Sequence, residues 1–204
     1  MHMKHSAQQP NLAKSLKLAI GFAVGWTILT ALFMFTNKSV AFALLFINLP
    51  ILFVPLIAEF ITRIKLPAAL QVQFLIFVSS SSLLGSILHF YSTVPGWDTY
   101  VHLYSGVIIT WFGMFVIMLA EKQTNTQLPK WFVLSMAFAV CMGIASLWEI
   151  YEFLSDVLIN SNMQVGGLKD TMIDMSVALI GAVIAFIITL LIKFPKSVLP
   201  KSLQ

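Results

Sequence analysis

Residues 171–194, TMIDMSVALIGAVIAFIITLLIKF, decide the fold. Between Asp174 and Lys193 no side chain carries a charge. A helix of roughly 20 apolar residues crosses the ~30 Å hydrocarbon core of a bilayer, and this run is long enough to do so. The same pattern recurs along the chain: 59% of the 204 residues are hydrophobic and only 10% are charged, a composition that would leave large apolar patches exposed in water. Five further stretches have spanning length, from about Leu16 to Thr36, Ser39 to Ile61, Ala68 to Tyr91, Asp98 to Ala120 and Lys130 to Ser155. The expected fold is all-α, a polytopic membrane protein built as a six-transmembrane-helix bundle. It is read as a single membrane domain over 1–204, with cytoplasmic tails at 1–14 and 195–204.

Several features refine this outline. The first run exceeds a signal-peptide core and lacks a small-x-small cleavage site, so it reads as a retained anchor. Pro50 and Pro55 remove backbone donors from the second span and should kink or break it. Cys141 is the one cysteine, which excludes an internal disulfide or a CxxC site and leaves packing as its expected role. No nucleic-acid-binding motif is present, and the net charge of +4 has another origin. With the N-terminus inside, Lys4, Lys14, Lys17, Arg63, Lys65, Lys122, Lys130, Lys193, Lys196 and Lys201 are cytoplasmic, against Lys38 and Lys169 outside. That bias predicts an N-in, C-in topology.

In this topology the remaining ionisable groups collect at the outer face. His89 closes span three, Asp98 and His102 open span four, Glu149, Glu152 and Asp156 end span five, and Asp170 and Asp174 open span six. The spacings i,i+4, then i,i+3,i+7, then i,i+4 keep each set on one helix face. Below them lie small residues that let membrane helices approach closely: Ser82, Gly85 and Ser86; Ser105, Gly106 and Gly113; Cys141 and Ala145; Ala178, Gly181 and Ala185. The expected assembly joins spans three to six, with the polar groups converging near the outer mouth.

Packed carboxylates cannot all stay ionised without compensation, so such a layer takes up protons or cations, and Lys169 is the one amine nearby. A divalent metal would supply the charge, and mixed imidazole and carboxylate ligands suit Zn, Mn or Fe better than Ca. His89, His102, Glu149 and Asp174 are the metal-ligand candidates. Glu152, Asp98 and Asp170 are the candidate catalytic groups that would position or deprotonate a metal-bound water. Competing readings are a hydrogen-bonded network that locks the helices together and a proton or cation path. Asp156 reads as a solvated loop-end acid, and the serines Ser79 to Ser82 as bonding back to the preceding turn. Trp97, Tyr100, Tyr104, Trp148 and Tyr151 suit an aromatic belt, with Trp148 and Tyr151 also able to wall a pocket. Glu59 and Arg63 are spaced for an i,i+4 ion pair, and the polar loop from Val157 to Lys169 reads as a lid or an ordinary connection.

The run Trp97-Asp98-x-x-x-His102, with Trp148-Glu149-x-x-Glu152 and Asp170-Thr171-x-x-Asp174 followed by Gly181, resembles the bacterial integral membrane proteins typified by YjdF. The resemblance covers roughly His89 to Ala185. A fainter similarity links the chain to the VanZ-like membrane proteins, which show Asp-x-x-x-His, a later Glu-x-x-Gln and a further Asp followed by Gly. Glu152 stands where that pattern has an amide, and the loop before the last span lacks its arginine. The resemblance implies a multi-pass architecture and the bacterial cytoplasmic (inner) membrane as its address, without a mechanism.

The expected function is a His/carboxylate metal-type site near the extracytoplasmic face, serving a metal-dependent hydrolase or transferase on a lipid or envelope-precursor substrate. The alternatives are a proton- or cation-coupled transporter, motivated by the broken second span, and a non-catalytic module that senses envelope stress or binds a partner.

Overall fold

The computed structural model describes residues 10–36, 42–191 and 199–203. His2, Lys4, His5, Lys38, Lys193 and Lys196 lie outside them, and with them part of both expected tails and of the charge bias. All regular secondary structure among the described residues is helical, with no strand, and six stretches are long and apolar enough to cross a membrane. They form two compact units, Met1–Trp97 and Asp98–Gln204.

The first unit holds α1 (Leu12–Thr36), α2 (Phe42–Asn48), a 3-10 segment (Leu49–Phe53), α3 (Val54–Thr62), α4 (Ala68–Val78), a π-helical segment (Ser79–Ile87) and α5 (Phe90–Thr93). The second span breaks where its prolines require. Pro50 enters the 3-10 segment at its first turn and Pro55 enters α3 at its first turn, the positions where a missing N–H costs least. Trp26, Leu45, Leu52, Leu75, Val78, Leu83, Ile87 and Leu88 make the core.

Span three is shorter than its hydropathy suggests. Ser79 and Ser80 Oγ donate to the carbonyls of Leu75 (2.7 Å) and Ile76 (3.0 Å), as expected of membrane serines. These hydroxyls compete for carbonyls that a regular helix reserves for backbone amides, and the chain widens to i→i+5 bonding over Ser79–Ile87. The helix ends there. His89 follows in the left-handed region (φ 62°) and starts α5, its carbonyl accepting from the amides of Ser92 and Thr93. Span three packs with α1 in the first unit, where Trp26 Nε1 donates to Ser79 Oγ at 2.8 Å.

The second unit holds α6 (Trp97–Thr124), α7 (Lys130–Ile159), α8 (Leu168–Leu191) and a 3-10 turn (Lys201–Leu203). One device closes loops in both units. Glu59, Glu121 and Asp156 each stand four residues before a left-handed residue, Arg63 (φ 57°), Asn125 (φ 51°) and Asn160 (φ 54°). Each carboxylate then accepts the backbone N–H seven residues on, from Leu66 (2.7 Å), Leu128 (2.9 Å) and Met163 (2.5 Å). In two of the three, a proline follows that donor and starts the next helix, Pro67 before α4 and Pro129 before α7. The acid thereby satisfies a loop amide that lipid cannot.

This corrects the expected Glu59–Arg63 pair. Glu59 is fully buried and also accepts from Ser15 Oγ (2.5 Å) and Gln71 Nε2 (3.1 Å), while the Arg63 guanidinium lies 4.8 Å from the Phe60 ring centroid. Among the described residues no ion pair joins Glu59 and Arg63. Glu121 is likewise buried, and its second oxygen accepts the Lys201 N–H at 2.9 Å. Removing that carboxylate orphans two donors at about 1–3 kcal/mol each. Glu121→Ala should therefore lower the stability of the detergent-solubilised protein by about 2–6 kcal/mol, and Glu121→Gln, which keeps one acceptor, by about half as much. Thermal or denaturant unfolding of the two variants checks this.

Candidate metal site at one end of the second unit

Helix length sets the depth of the site. From Lys130 to Glu149 on α7, and from Glu121 to His102 on α6, the rise is about 28 Å, close to one hydrocarbon thickness. When Lys130 and Glu121 lie at one interface, Glu149 and His102 reach the other. There α7 contributes Glu149 and Glu152 from a buried stripe that continues through Ala145, Cys141, Ala137 and Val133. Helix α8 contributes Asp174 from a stripe that continues through Ala178, Gly181, Ala182, Ala185 and Thr189.

The helices meet most closely one turn below these acids. A Cβ on Gly106 would overlap the backbone of Ala178, and one on Gly181 would overlap Leu103 O and stand 3.0 Å from Val107 N. Glycine is needed at both positions because α6 and α8 touch backbone to backbone. Farther down, Gly113 faces Ala137 on α7, where a Cβ would lie 3.2 Å from the Ala137 Cα. Cys141 has the packing role expected of it, buried with Sγ 3.5 Å from the Gly106 carbonyl and 3.9 Å from that of Ala178.

This crossing brings Asp98, His102 and Asp174 together, each offering one ligand-type atom within 4.8 Å of the others. His102 is bracketed by carboxylates, with Nε2 3.6 Å from Asp98 Oδ1 and Nδ1 4.0 Å from Glu149 Oε1. His102, Glu149, Glu152 and Asp174 are buried, whereas Asp98 is half-exposed. Asp174 Oδ2 and Glu149 Oε2 are buried without a hydrogen-bond partner among the described residues. Glu152 accepts Trp148 Nε1–H at 2.7 Å, so Trp148 is a direct partner of the acid cluster as well as an exposed aromatic against Tyr151. Asp98 and Asp170 stand in the first turns of α6 and α8, where the helix dipole favours negative charge. Asp170 is half-exposed and close enough to interact electrostatically with Asp98, His102, Glu152 and Asp174.

One acid of the expected outer layer has other surroundings. Asp156 is spent on the loop, accepting from Ser161 Oγ and from the amides of Met163 and Gln164. His89 belongs to the first unit, at the left-handed turn before α5. The connection expected as a lid or plain loop is tied to both flanking helices, with Gln164 Nε2 donating to Thr171 Oγ1 (2.6 Å) and the Glu149 carbonyl (3.5 Å). Gln164 was not among the residues singled out from the sequence. An amide in a polar loop gives no periodic signal.

A family described as "Predicted membrane protein (DUF2238)" matches residues 18–193. The chain belongs to that family. It is also 30% identical over 129 residues to an uncharacterized protein of Thermotoga maritima, an alignment covering 63% of this chain and 66% of that protein, just under two thirds of its length. No solved structure matches. Membership makes this DUF2238 protein a membrane protein, and its six apolar helices are those of a multi-pass one.

The glycine crossing makes a sharp prediction. Gly106→Ala or Gly181→Ala should destabilise the protein by at least about 2 kcal/mol through overpacking against backbone. Gly143→Ala, on the same bundle but with no described heavy atom beyond its chain neighbours and local helix backbone within 4 Å of its Cβ position, should be neutral or stabilising by up to about 1 kcal/mol through helix propensity. Parallel thermal melts of the three variants separate packing from propensity.

Proposed function

We propose that this DUF2238 protein binds one divalent cation where α6 and α8 converge, with Asp98, His102 and Asp174 as its ligands. The observation that carries the reading is the meeting of their three ligand atoms within 4.8 Å beside buried, unpartnered carboxylate oxygens of Asp174 and Glu149. A buried carboxylate oxygen without a donor costs free energy that a cation would offset. Imidazole with carboxylates favours Zn, Mn or Fe. Glu149 faces the imidazole nitrogen opposite Asp98, the arrangement in which a carboxylate orients a ligating histidine through its second nitrogen. Its role thus shifts from ligand to orienting group, and Asp98 shifts from catalytic group to ligand.

The finer reading is a metal-dependent hydrolase or transferase that takes a lipid or envelope precursor at the extracytoplasmic interface of a bacterial inner membrane, with both termini inside. Glu152 and Asp170 are the acids left to move a proton there. The depth of the site and the exposed rings of Trp148 and Tyr151 beside it support an amphiphilic substrate. Transport is less well supported by the second unit. Gly106, Cys141, Ala178 and Gly181 pack closely beneath the acids, and the Glu121 carboxylate at the far end of α6 is engaged by loop amides.

Metal analysis and calorimetric titration of the purified protein with Zn and Mn provide the test. One saturable site per chain is expected. Asp174→Asn and His102→Ala should abolish it, and Glu149→Gln should weaken it by about 10–100-fold. Stoichiometric binding that survives both ligand substitutions, or no saturable binding by the folded native chain, overturns the proposal.

A further inference from the structure

The first unit carries a second feature, unrelated to the acid cluster. Between α1 and the π-helical segment runs a groove of about 520 Å³, lined among others by Lys17, Gly21, Gly25, Trp26, Leu83 and Leu84. Gly21 and Gly25 form an open floor, with no described heavy atom beyond their chain neighbours and local helix backbone within 4 Å of where a Cβ would stand on either. The polar atoms of one wall are already engaged, since Trp26 Nε1 donates to Ser79 Oγ and Ser79 Oγ donates to the Leu75 carbonyl. What remains is apolar surface with one exposed ammonium, Lys17, at the end nearest the α1 N-terminus.

We propose that this groove holds one acyl chain of an anionic phospholipid whose headgroup phosphate pairs with Lys17. The dimensions fit. From Lys17 to Leu29, both lining residues, α1 rises about 18 Å, close to the half-thickness of a ~30 Å hydrocarbon core, so the groove runs the depth of one leaflet. The charge fits as well, because a lysine at the headgroup level attracts anionic lipid. Gly21-x-x-x-Gly25 is also the spacing of a close helix dimer. A second copy packed there in parallel, however, would bring Lys14 and Lys17 of both chains together in one leaflet, a repulsion that a phosphate does not suffer.

Native mass spectrometry of the full chain in detergent, titrated with dioleoyl phosphatidylglycerol and separately with dioleoyl phosphatidylcholine, tests the proposal. One tightly retained phosphatidylglycerol per chain is expected, with phosphatidylcholine weaker. Lys17→Ala should weaken phosphatidylglycerol binding about fivefold and leave phosphatidylcholine unchanged. Gly25→Leu, which fills the floor, should remove the retained lipid in a chain that still unfolds cooperatively. Equal retention of the two lipids by the native chain overturns the proposal, as does phosphatidylglycerol binding indifferent to Lys17→Ala. A dimer lost on Gly25→Leu overturns it in favour of a second copy. Lys17 is exposed and outside the core, so its variant decides the matter even where Gly25→Leu does not fold.

Discussion

The backbones of α6 and α8 touch at Gly106 and Gly181, and the geometry of the second unit follows from that contact. Neither position can carry a Cβ without pressing on the facing main chain, so the two axes approach more closely than ordinary side chains allow. One to two turns above, the same approach brings His102 and Asp98 of α6 to Asp174 of α8. Helix α7 closes the third side through Ala137, Cys141 and Ala145, small enough to let Glu149 reach the far nitrogen of the imidazole. A bulkier seam would hold the same acids apart, each facing lipid or headgroups separately.

A second constraint sorts the acids. In lipid each polar group must find its partner within the protein, and a carboxylate can accept several hydrogen bonds. Glu59, Glu121 and Asp156 answer loop amides at a fixed offset of seven residues and act as parts of the backbone scaffold. Asp174 and Glu149 each retain a buried oxygen that no donor among the described residues reaches. Groups of one chemical type thus divide into those that complete the backbone scaffold and those left unsatisfied, according to which donors lie nearby. The unsatisfied members are the ones that favour a ligand.

The recurring loop leaves a spacing in the sequence that the reading above did not single out. Glu59 with Leu66-Pro67 and Glu121 with Leu128-Pro129 share one spacing, and the proline after the donor marks where the next helix must begin. The ion pair expected of Glu59 and Arg63 failed because Arg63 leaves the helix in the left-handed conformation, which turns its side chain away from the i,i+4 face. The end of span three at Ile87, against an expected limit of about Tyr91, has a related reason. Hydropathy weighs side chains, whereas the end of that helix depends on hydroxyls taking backbone carbonyls.

The amino-acid sequence by itself determined the helical class, six stretches able to cross a bilayer, the break in the second and the face on which each acid lies. These follow from length, composition and a 3.6-residue period, all local properties of the chain. Only the tertiary structure decided that Asp98, His102 and Asp174 converge while Asp156 closes a loop. Which acids meet depends on how closely and at what height the helices cross, and that is set by backbone contacts between residues far apart in the chain.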